Sequence, residues 1–226
     1  MILNSFRSLL DHMRNAGYEI KIAFKDESLL MKLVSIILFF TKDFMTQFTT
    51  TLGNTIYFPS RKWLEENEHT ATRVLAHECI HLHDRKVMNR KGTIFLYPFL
   101  YLFPQILAVF SLLAFLAFIN INWLFCLLFL LCLAPLPAPG RFYLEVRGYT
   151  MNLFIKSLEA AYGHYGYNVE EHVNGIAKQF TGANYWFMWP FHAHVVKTLL
   201  KNYSVALFVS PVFRDVQLWF QHEHLE

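Results

Sequence analysis

The chain has 226 residues, of which 54% are hydrophobic, 17% are aromatic and only 16% are charged. A soluble domain carries roughly 25% charged residues, so this composition excludes a disordered or collagenous chain and favours either a membrane segment or an unusually large core. The formal charge of +3 arises from 20 basic and 17 acidic residues, a balance too mild to predict a nucleic-acid partner. Three cysteines provide neither a disulfide framework nor a cysteine-ligated zinc site.

The first predicted element is an amphipathic helix over residues 1–15. Charges at Arg7, Asp11 and Arg14 are spread through it, which is not typical of a signal peptide. Residues 29–40 form a short and mostly apolar run. Its length predicts a core or interfacial helix rather than a membrane crossing.

Residues 48–58 predict a small β element. β-branched and aromatic residues lie on both sides of Gly53, which indicates a strand or a short hairpin. Ser60 can then cap a helix over residues 61–68. A further helix over residues 70–88 follows from apolar residues at helical spacing.

The helix over residues 70–88 contains an HExxH motif, HECIH. Positions four apart lie on one face of a helix, so the imidazoles of His77 and His81 can bind one zinc ion, and Glu78 is placed to accept a proton from water. The alternative is a solvated polar face, but the residues around the motif are apolar. Two imidazoles and an unpaired carboxylate are costly to bury in such surroundings. The motif therefore predicts a metal site.

Residues 92–140 contain no acidic, basic or histidine residue. One membrane crossing takes roughly 20 residues, so the segment predicts two helices, over residues 94–119 and 121–137, that form a transmembrane hairpin. Pro98 and Pro104 are expected to bend the first helix. The alternatives are a hairpin that only dips into the bilayer and a buried core hairpin in a soluble protein.

A hairpin returns the chain to the side it left, so residues 1–91 and 141–226 are expected to lie in one compartment and can build a joint site. Basic residues flank the apolar segment on both sides, and its tip carries no charge. By the positive-inside rule this predicts that both flanking parts are cytoplasmic. The flanking residues are Arg85, Lys86, Arg90, Lys91, Arg141 and Arg147.

Two histidines leave a catalytic zinc ion in need of one more protein ligand. Glu145 is the candidate, because it is the first carboxylate after the hairpin and lies in a predicted helix over residues 142–159. One alternative is that Glu145 forms an ion pair with Arg141 or Arg147. Another is that His83 serves as the third ligand, although it lies two positions after His81 and so points to another side of the helix.

The motif HECIH, the apolar stretch at residues 93–139 and the sequence LEVRGY at residues 144–149 follow one another in an order that resembles the gluzincin clan. The resemblance is greatest to the integral-membrane zinc peptidases of the CaaX prenyl protease and heat-shock membrane protease type. It covers roughly residues 49–158. The relatives commonly carry an Asp four residues after the ligand Glu, where this chain has Tyr149.

The resemblance implies a mainly α zincin-like metallopeptidase domain with a small β element, interrupted by a transmembrane helical hairpin. Its parts are residues 1–91 with the HExxH helix, the hairpin at residues 92–140, and residues 141–226 with the third-ligand helix. The β element at residues 48–58 would be the edge strand that pairs with an extended peptide substrate.

The implied activity is that of a membrane-associated endopeptidase with a peptide or protein substrate, a lipid bilayer as its surroundings and an active site on the cytoplasmic side. Zn²⁺ would be held by His77, His81 and Glu145, with Glu78 as the general base. A donor to the oxyanion is also required. Tyr149, one turn after Glu145, is our candidate, and the other candidates are Arg147, His172, Tyr185, His192 and His194.

Two other classes of function compete with the enzyme. The first is a membrane-anchored zinc-binding scaffold without activity, against which the intact Glu78 argues. The second is a small pore-forming membrane protein in which the motif is accidental. The aromatic run at residues 185–191 predicts an interfacial anchor or core contact, and alternatively an apolar wall for substrate side chains.

Overall fold

The computed structural model describes residues 4–37, 43–90, 93, 95–163, 166–185 and 187–225. Helices predominate and one three-stranded sheet accompanies them, as predicted. The α-helices are α1 (Asn4–Asn15), α2 (Leu29–Ile37), α3 (Arg61–Glu66), α4 (Glu68–Arg90), α5 (Leu96–Leu102), α6 (Pro139–Gly163), α7 (Val169–Thr181), α8 (His192–Ser204), α9 (Ala206–Val209) and α10 (Pro211–Leu225). The strands are β1 (Lys21–Phe24), β2 (Thr50–Leu52) and β3 (Thr55–Phe58), and 3₁₀ helices cover Gln105–Phe118, Ile121–Leu133 and Ala183–Tyr185.

The sheet has the strand order β1-β3-β2. β2 and β3 pair antiparallel as a hairpin, and β1 pairs with β3 in parallel. Gly53 in the hairpin turn has a φ of +62°, which glycine adopts without steric cost. The hairpin alternative for residues 48–58 is therefore confirmed. Within the part of the chain that is described, β2 forms an edge of the sheet.

Helix α4 carries the HExxH motif and follows directly after α3. Ser60 caps α3, because its side-chain oxygen accepts a hydrogen bond from the backbone N of Trp63 at 3.0 Å. The middle of α4 is enclosed by other elements, and Ala76, Cys79 and Ile80 are fully buried. Polar side chains on this part of α4 are consequently drawn into the interior.

The chain forms two compact units. Unit 1 comprises Met1–Lys86, Arg147–Val169 and Lys201–Glu226, and unit 2 comprises Val87–Val146 and Glu170–Leu200.

The core of unit 1 is built from α1, α4, α6 and α10 together with the sheet. Phe6 of α1 meets Phe58 of β3 edge to face with ring centroids 5.5 Å apart, and Phe154 of α6 meets Phe213 of α10 in the same geometry at 5.5 Å. Other buried members are Leu9, Met13, Leu75, Ile80, Met151 and Val216. The core therefore joins residues from both sides of the apolar segment in the sequence.

The core of unit 2 uses part of the aromatic run at residues 185–191. Trp189 stacks on Phe142 of α6 with ring centroids 4.7 Å apart, and Met188 is buried. For these two side chains the structure agrees with the core-contact alternative. Trp186 of the same run lies outside the described residues.

The two long 3₁₀ helices of unit 2 form what we call the apolar hairpin, residues 105–133. They pack against each other, with the rings of Phe110 and Phe129 5.4 Å apart. Neither helix contains a buried residue. Exposed leucine and phenylalanine side chains therefore make up much of the surface of the apolar hairpin.

The prediction that residues 94–119 form one membrane helix is wrong. The described part of this segment is broken into α5 and the 3₁₀ helix Gln105–Phe118, which are bent by 89° relative to each other. The break ends at Pro104, whose ring cannot donate a backbone hydrogen bond, as the proline argument predicts. Ile94 lies outside the described residues. The second helix ends at Leu133, four residues before its predicted end.

Among the described residues, no single helix is both long and apolar enough to cross a membrane. In the part of the chain that the structure describes, one bent pair, α5 and the following 3₁₀ helix, has the required length and composition when the two are taken together.

Helix α2 matches the described part of the apolar run at residues 29–40, of which residues 38–40 lie outside the described residues. Met31 is buried, whereas Leu29, Leu33 and Ile36 are exposed. The helix therefore uses one residue for the core and presents an apolar face outward.

A buried lysine connects the end of β1 to the turn at residues 43–47. The Lys25 side chain is fully buried, donates through Nζ to the backbone oxygen of Phe44 at 2.7 Å and lies 3.8 Å from the centroid of the Phe44 ring. Burial lowers the pKa of Lys25 to about 8, and the negative charge of Glu78 opposes part of this shift.

We predict that Lys25→Met removes a pH dependence of stability. The pKa of Lys25 is about 8 in the folded protein, against 10.5 for an unperturbed lysine side chain, so the unfolded chain binds more protons between these values. The free energy of unfolding of the wild type must then rise with pH in this window relative to Lys25→Met. Melting temperatures of both proteins at about pH 7 and about pH 10 check this, and a constant difference between them would contradict it.

Candidate metal centre

Helix α4 places the three polar residues of the HExxH motif in the interior. His77, Glu78 and His81 are all buried, with exposed fractions of 6–8%. The Nε2 atoms of His77 and His81 lie 3.0 Å apart, and their ring centroids are 4.9 Å apart. Two nitrogens bound to one tetrahedral zinc ion at about 2.05 Å would be roughly 3.3 Å apart. The two imidazoles therefore converge on one point, as their helical spacing predicts.

Gly148 allows α6 to pass directly over the His77 ring. A Cβ atom at this position would lie 2.5 Å from Nε2 of His77, a distance that real side chains do not tolerate. Only glycine permits the approach, so the contact is specific to this residue. Glu145 lies three positions earlier on the same helix, and residues three apart share a face.

Glu145 is the third member of the cluster of potential metal ligands. One ligand atom from each of His77, His81 and Glu145 can be chosen so that all three atoms lie within 4.8 Å of one another, and all three residues are buried. Two imidazole nitrogens and one carboxylate oxygen form a donor set found in catalytic zinc sites, in which the fourth position is left open. The residues predicted as metal ligands are thus close enough to bind a metal ion.

Two tyrosine hydroxyls orient the carboxylate of Glu145. Tyr101 on α5 donates to Oε1 at 2.6 Å, and Tyr185 donates to Oε2 at 3.3 Å. An ionised carboxylate has about four acceptor positions, so two hydrogen bonds leave capacity for a metal ion. The sequence suggested Tyr185 as an oxyanion donor and as part of the aromatic run, but not as a partner of Glu145. Tyr101 was missed, because nothing local links it to a residue 44 positions away.

The carboxylate of Glu78 is held by the sheet. Thr51 on β2 donates its hydroxyl to Oε2 of Glu78 at 2.7 Å. Since β2 is an edge strand of the described sheet, the candidate base lies beside a strand edge. Neither the threonine nor this hydrogen bond was expected from the sequence.

Tyr149 packs against His77. The two rings are perpendicular, with an interplanar angle of 87° and centroids 5.0 Å apart. An aromatic side chain therefore supports this imidazole at the position where the relatives carry an Asp. The role of Tyr149 as an oxyanion donor stays a prediction.

A buried ion pair fastens α4 to α6 one turn away from the histidines. Arg147 donates to Asp84 through Nε at 2.8 Å and through Nη2 at 2.7 Å, in a bidentate arrangement. Both side chains are at most 13% exposed. The sequence had offered Arg147 as an oxyanion donor or a partner of Glu145, and the structure pairs it with Asp84.

The other predicted candidates have different neighbours. The ring of His83 lies 6.3 Å from that of Tyr18, and burial lowers the pKa of His83. His194 accepts a hydrogen bond from the Trp189 indole at Nδ1, at 2.9 Å. Burial raises the pKa of the Cys79 thiol, which keeps it protonated in the core. None of these three belongs to the metal-binding cluster found among the described residues.

Comparisons of the chain with protein-family models, with curated proteins and with solved structures find no match.

We predict that Gly148→Ala weakens metal binding by at least tenfold, because its methyl group must displace the His77 ring or α6. Gly175→Ala is the matched control. Gly175 also lies in a helix, but an added Cβ would meet nothing within 4 Å, so the substitution should preserve metal binding and slightly stabilise the helix. Titration of both purified variants with zinc against a chromogenic chelator measures the effect. Equal affinities would contradict the close contact.

Proposed function

We propose that this chain is a membrane-associated zinc-dependent endopeptidase. The observation that carries the proposal is the buried cluster of His77, His81 and Glu145, with Glu78 next to the first ligand. Purely structural zinc sites are closed by four protein ligands, whereas a set of three leaves a position for water or substrate. Imidazole and carboxylate donors together suit zinc better than they suit magnesium or calcium.

In this proposal different residues of the chain have different roles in the hydrolysis of a peptide bond. A bound zinc ion supplies Lewis acidity toward water and toward the scissile carbonyl group. Glu78 accepts the proton of the attacking water and delivers it to the leaving amine. The hydrogen bond from Thr51 holds one oxygen of Glu78, which fixes the direction of the carboxylate. Tyr149 remains our candidate donor to the oxyanion, and its ring contact with His77 supports a place beside the ligands.

The substrate we propose is an extended peptide segment that pairs with β2. An exposed strand edge offers backbone N–H and C=O groups to an added strand. Because Thr51 lies on β2 and binds Glu78, a peptide on this edge would run close to the base. This supports a peptide substrate over a small molecule.

We further propose that the apolar hairpin enters a bilayer and that the active site faces the cytoplasm. The hairpin carries no charge, and neither of its helices contains a buried residue. Exposing this much apolar surface to water would be unfavourable in free energy. A 3₁₀ helix rises about 2.0 Å per residue, so the 14 residues of Gln105–Phe118 reach roughly 28 Å, close to the thickness of the hydrocarbon region. The basic residues that flank the apolar segment support the cytoplasmic orientation.

The decisive experiment compares zinc content and cleavage of casein or a membrane protein by the wild type, His77→Ala and Glu78→Gln. We predict stoichiometric zinc in the wild type, its loss in His77→Ala, and retained zinc with activity reduced about 10²- to 10⁴-fold in Glu78→Gln. Glu65→Gln, an exposed carboxylate on α3, is the control and should match the wild type. Zinc without activity on any substrate would instead favour the inactive scaffold.

Membrane association has a separate test. We predict that Phe115→Arg combined with Leu131→Arg moves the protein out of the membrane fraction after expression, because each arginine at the centre of a bilayer costs about 2.5–3.5 kcal/mol on the insertion scale. Both residues are exposed in the apolar hairpin. Leu218→Arg places the same substitution at an exposed position of α10 and should leave the distribution unchanged. Flotation in a density gradient measures the outcome, and a membrane-bound double variant would refute insertion of the hairpin.

A further inference from the structure

Tyr101 lies where the apolar hairpin connects to the metal ligand. It is the penultimate residue of α5, just before the bend that leads into Gln105–Phe118. Its hydroxyl donates to Oε1 of Glu145 at 2.6 Å. This is a short charge-assisted hydrogen bond, of the kind that is roughly twice as strong as one between neutral groups.

Arg141 binds the same tyrosine at two further points. Its Nε donates to the backbone oxygen of Tyr101 at 2.9 Å, and its guanidinium lies 5.3 Å from the centroid of the Tyr101 ring. Arg141 and Glu145 are four residues apart on α6 and therefore share one face. Side chains from two successive turns of α6 thus hold the hydroxyl, the ring and the carbonyl of one residue.

The same arginine also reaches the hairpin itself. Nη2 of Arg141 donates to Oε1 of Gln105, the first residue of the 3₁₀ helix, at 3.3 Å. These contacts connect Gln105 to Glu145 through Arg141 and Tyr101, and all four residues belong to unit 2. A displacement of the hairpin base would therefore disturb the hydrogen bond that orients the ligand.

Tyr185 binds the other oxygen of Glu145 less tightly. Its hydroxyl is 3.3 Å from Oε2, beyond the usual range of 2.5–3.0 Å for O–H···O hydrogen bonds. It also belongs to a short 3₁₀ turn rather than to the base of the hairpin. Of the two tyrosines, Tyr101 thus makes the stronger and better anchored contact.

We propose that Tyr101 is a positioning residue for Glu145, through which the base of the apolar hairpin sets the affinity of the metal centre. The inference rests on the metal-binding part of the proposed function and not on peptide hydrolysis. Hydrogen-bond partners of metal ligands hold the ligands in the binding geometry, and their loss typically weakens metal binding 10- to 100-fold. Thermodynamic coupling between two sites is reciprocal. Contacts that hold the hairpin base in this arrangement therefore strengthen metal binding, and metal binding in turn stabilises those contacts.

The test is Tyr101→Phe in the full chain, with zinc affinity measured by competition against a chromogenic chelator. We expect a 10- to 100-fold weaker affinity and a changed visible absorption spectrum of the cobalt-substituted protein, because the carboxylate loses its orienting donor. Phenylalanine keeps the ring against Arg141, so the melting temperature of the metal-free protein should stay close to that of the wild type.

Tyr97→Phe is the matched control. Tyr97 lies one turn earlier on α5 and stacks on Tyr101 with ring centroids 6.3 Å apart, so it tests removal of a hydroxyl from the same helix. Its zinc affinity should equal that of the wild type. Tyr185→Phe should weaken binding less than Tyr101→Phe.

Three results would overturn the inference. The first is a zinc affinity of Tyr101→Phe within twofold of the wild type, and the second is an equal loss in Tyr97→Phe. The third is a wild type that binds no zinc, which would also remove the proposed function. A wild type that binds zinc but cleaves no peptide would remove only the peptidase, and the expected loss in Tyr101→Phe would then still support the role of Tyr101.

Discussion

The close passage of α6 over the imidazole of His77 is the constraint on which the candidate metal centre depends. It requires a residue without a side chain at position 148, and the helix geometry then carries Glu145 and Tyr149 to the same place. The bidentate pair of Asp84 and Arg147 fixes the two helices at a second point, about two turns further along α4 than His77. Neither contact is a bond to a metal ion, yet together they determine which carboxylate can meet the histidines.

The polar side of α4 is costly to bury, and this cost is informative about function. His77, Glu78, His81 and Asp84 are all nearly inaccessible to water, on the part of α4 whose apolar residues belong to the core. Asp84 is compensated by Arg147, as a buried carboxylate must be. The hydrogen bond from Thr51 offsets part of the cost for Glu78, and the hydrogen bonds from Tyr101 and Tyr185 do the same for Glu145. A divalent cation would supply the positive charge that these two carboxylates require. A buried arrangement of this kind is more readily explained by a bound ion than by stability alone.

A few polar side chains at the base of the apolar hairpin link it to Glu145, the carboxylate of the candidate metal centre. Arg141 holds both Tyr101 and Gln105, so a residue that the positive-inside argument treats as a flanking charge also has a structural role. The bend at Pro104 brings α5 back beside α6, where Tyr101 can reach Glu145. The interruption of the first apolar helix therefore lies close to the residue that orients Glu145, since α5 ends at Leu102, one residue after Tyr101.

The sequence by itself determined the features that depend on the spacing of residues close to one another along the chain. Helical periodicity is a property of residues three and four apart, so HECIH was sufficient to predict that His77 and His81 share a face. The β-branched and aromatic residues around Gly53 predicted a strand or a short hairpin, and the structure contains the hairpin of β2 and β3. The choice of Glu145 followed from the order of elements along the chain.

Only the tertiary structure decided which side chains surround these groups. Asp84 and Arg147 are 63 positions apart, and Tyr101 and Glu145 are 44 apart. No local preference encodes such pairs, since they depend on how whole helices pack. The need for glycine at position 148 is likewise invisible in the sequence, because the ring that would clash with a Cβ there belongs to His77, more than seventy positions earlier.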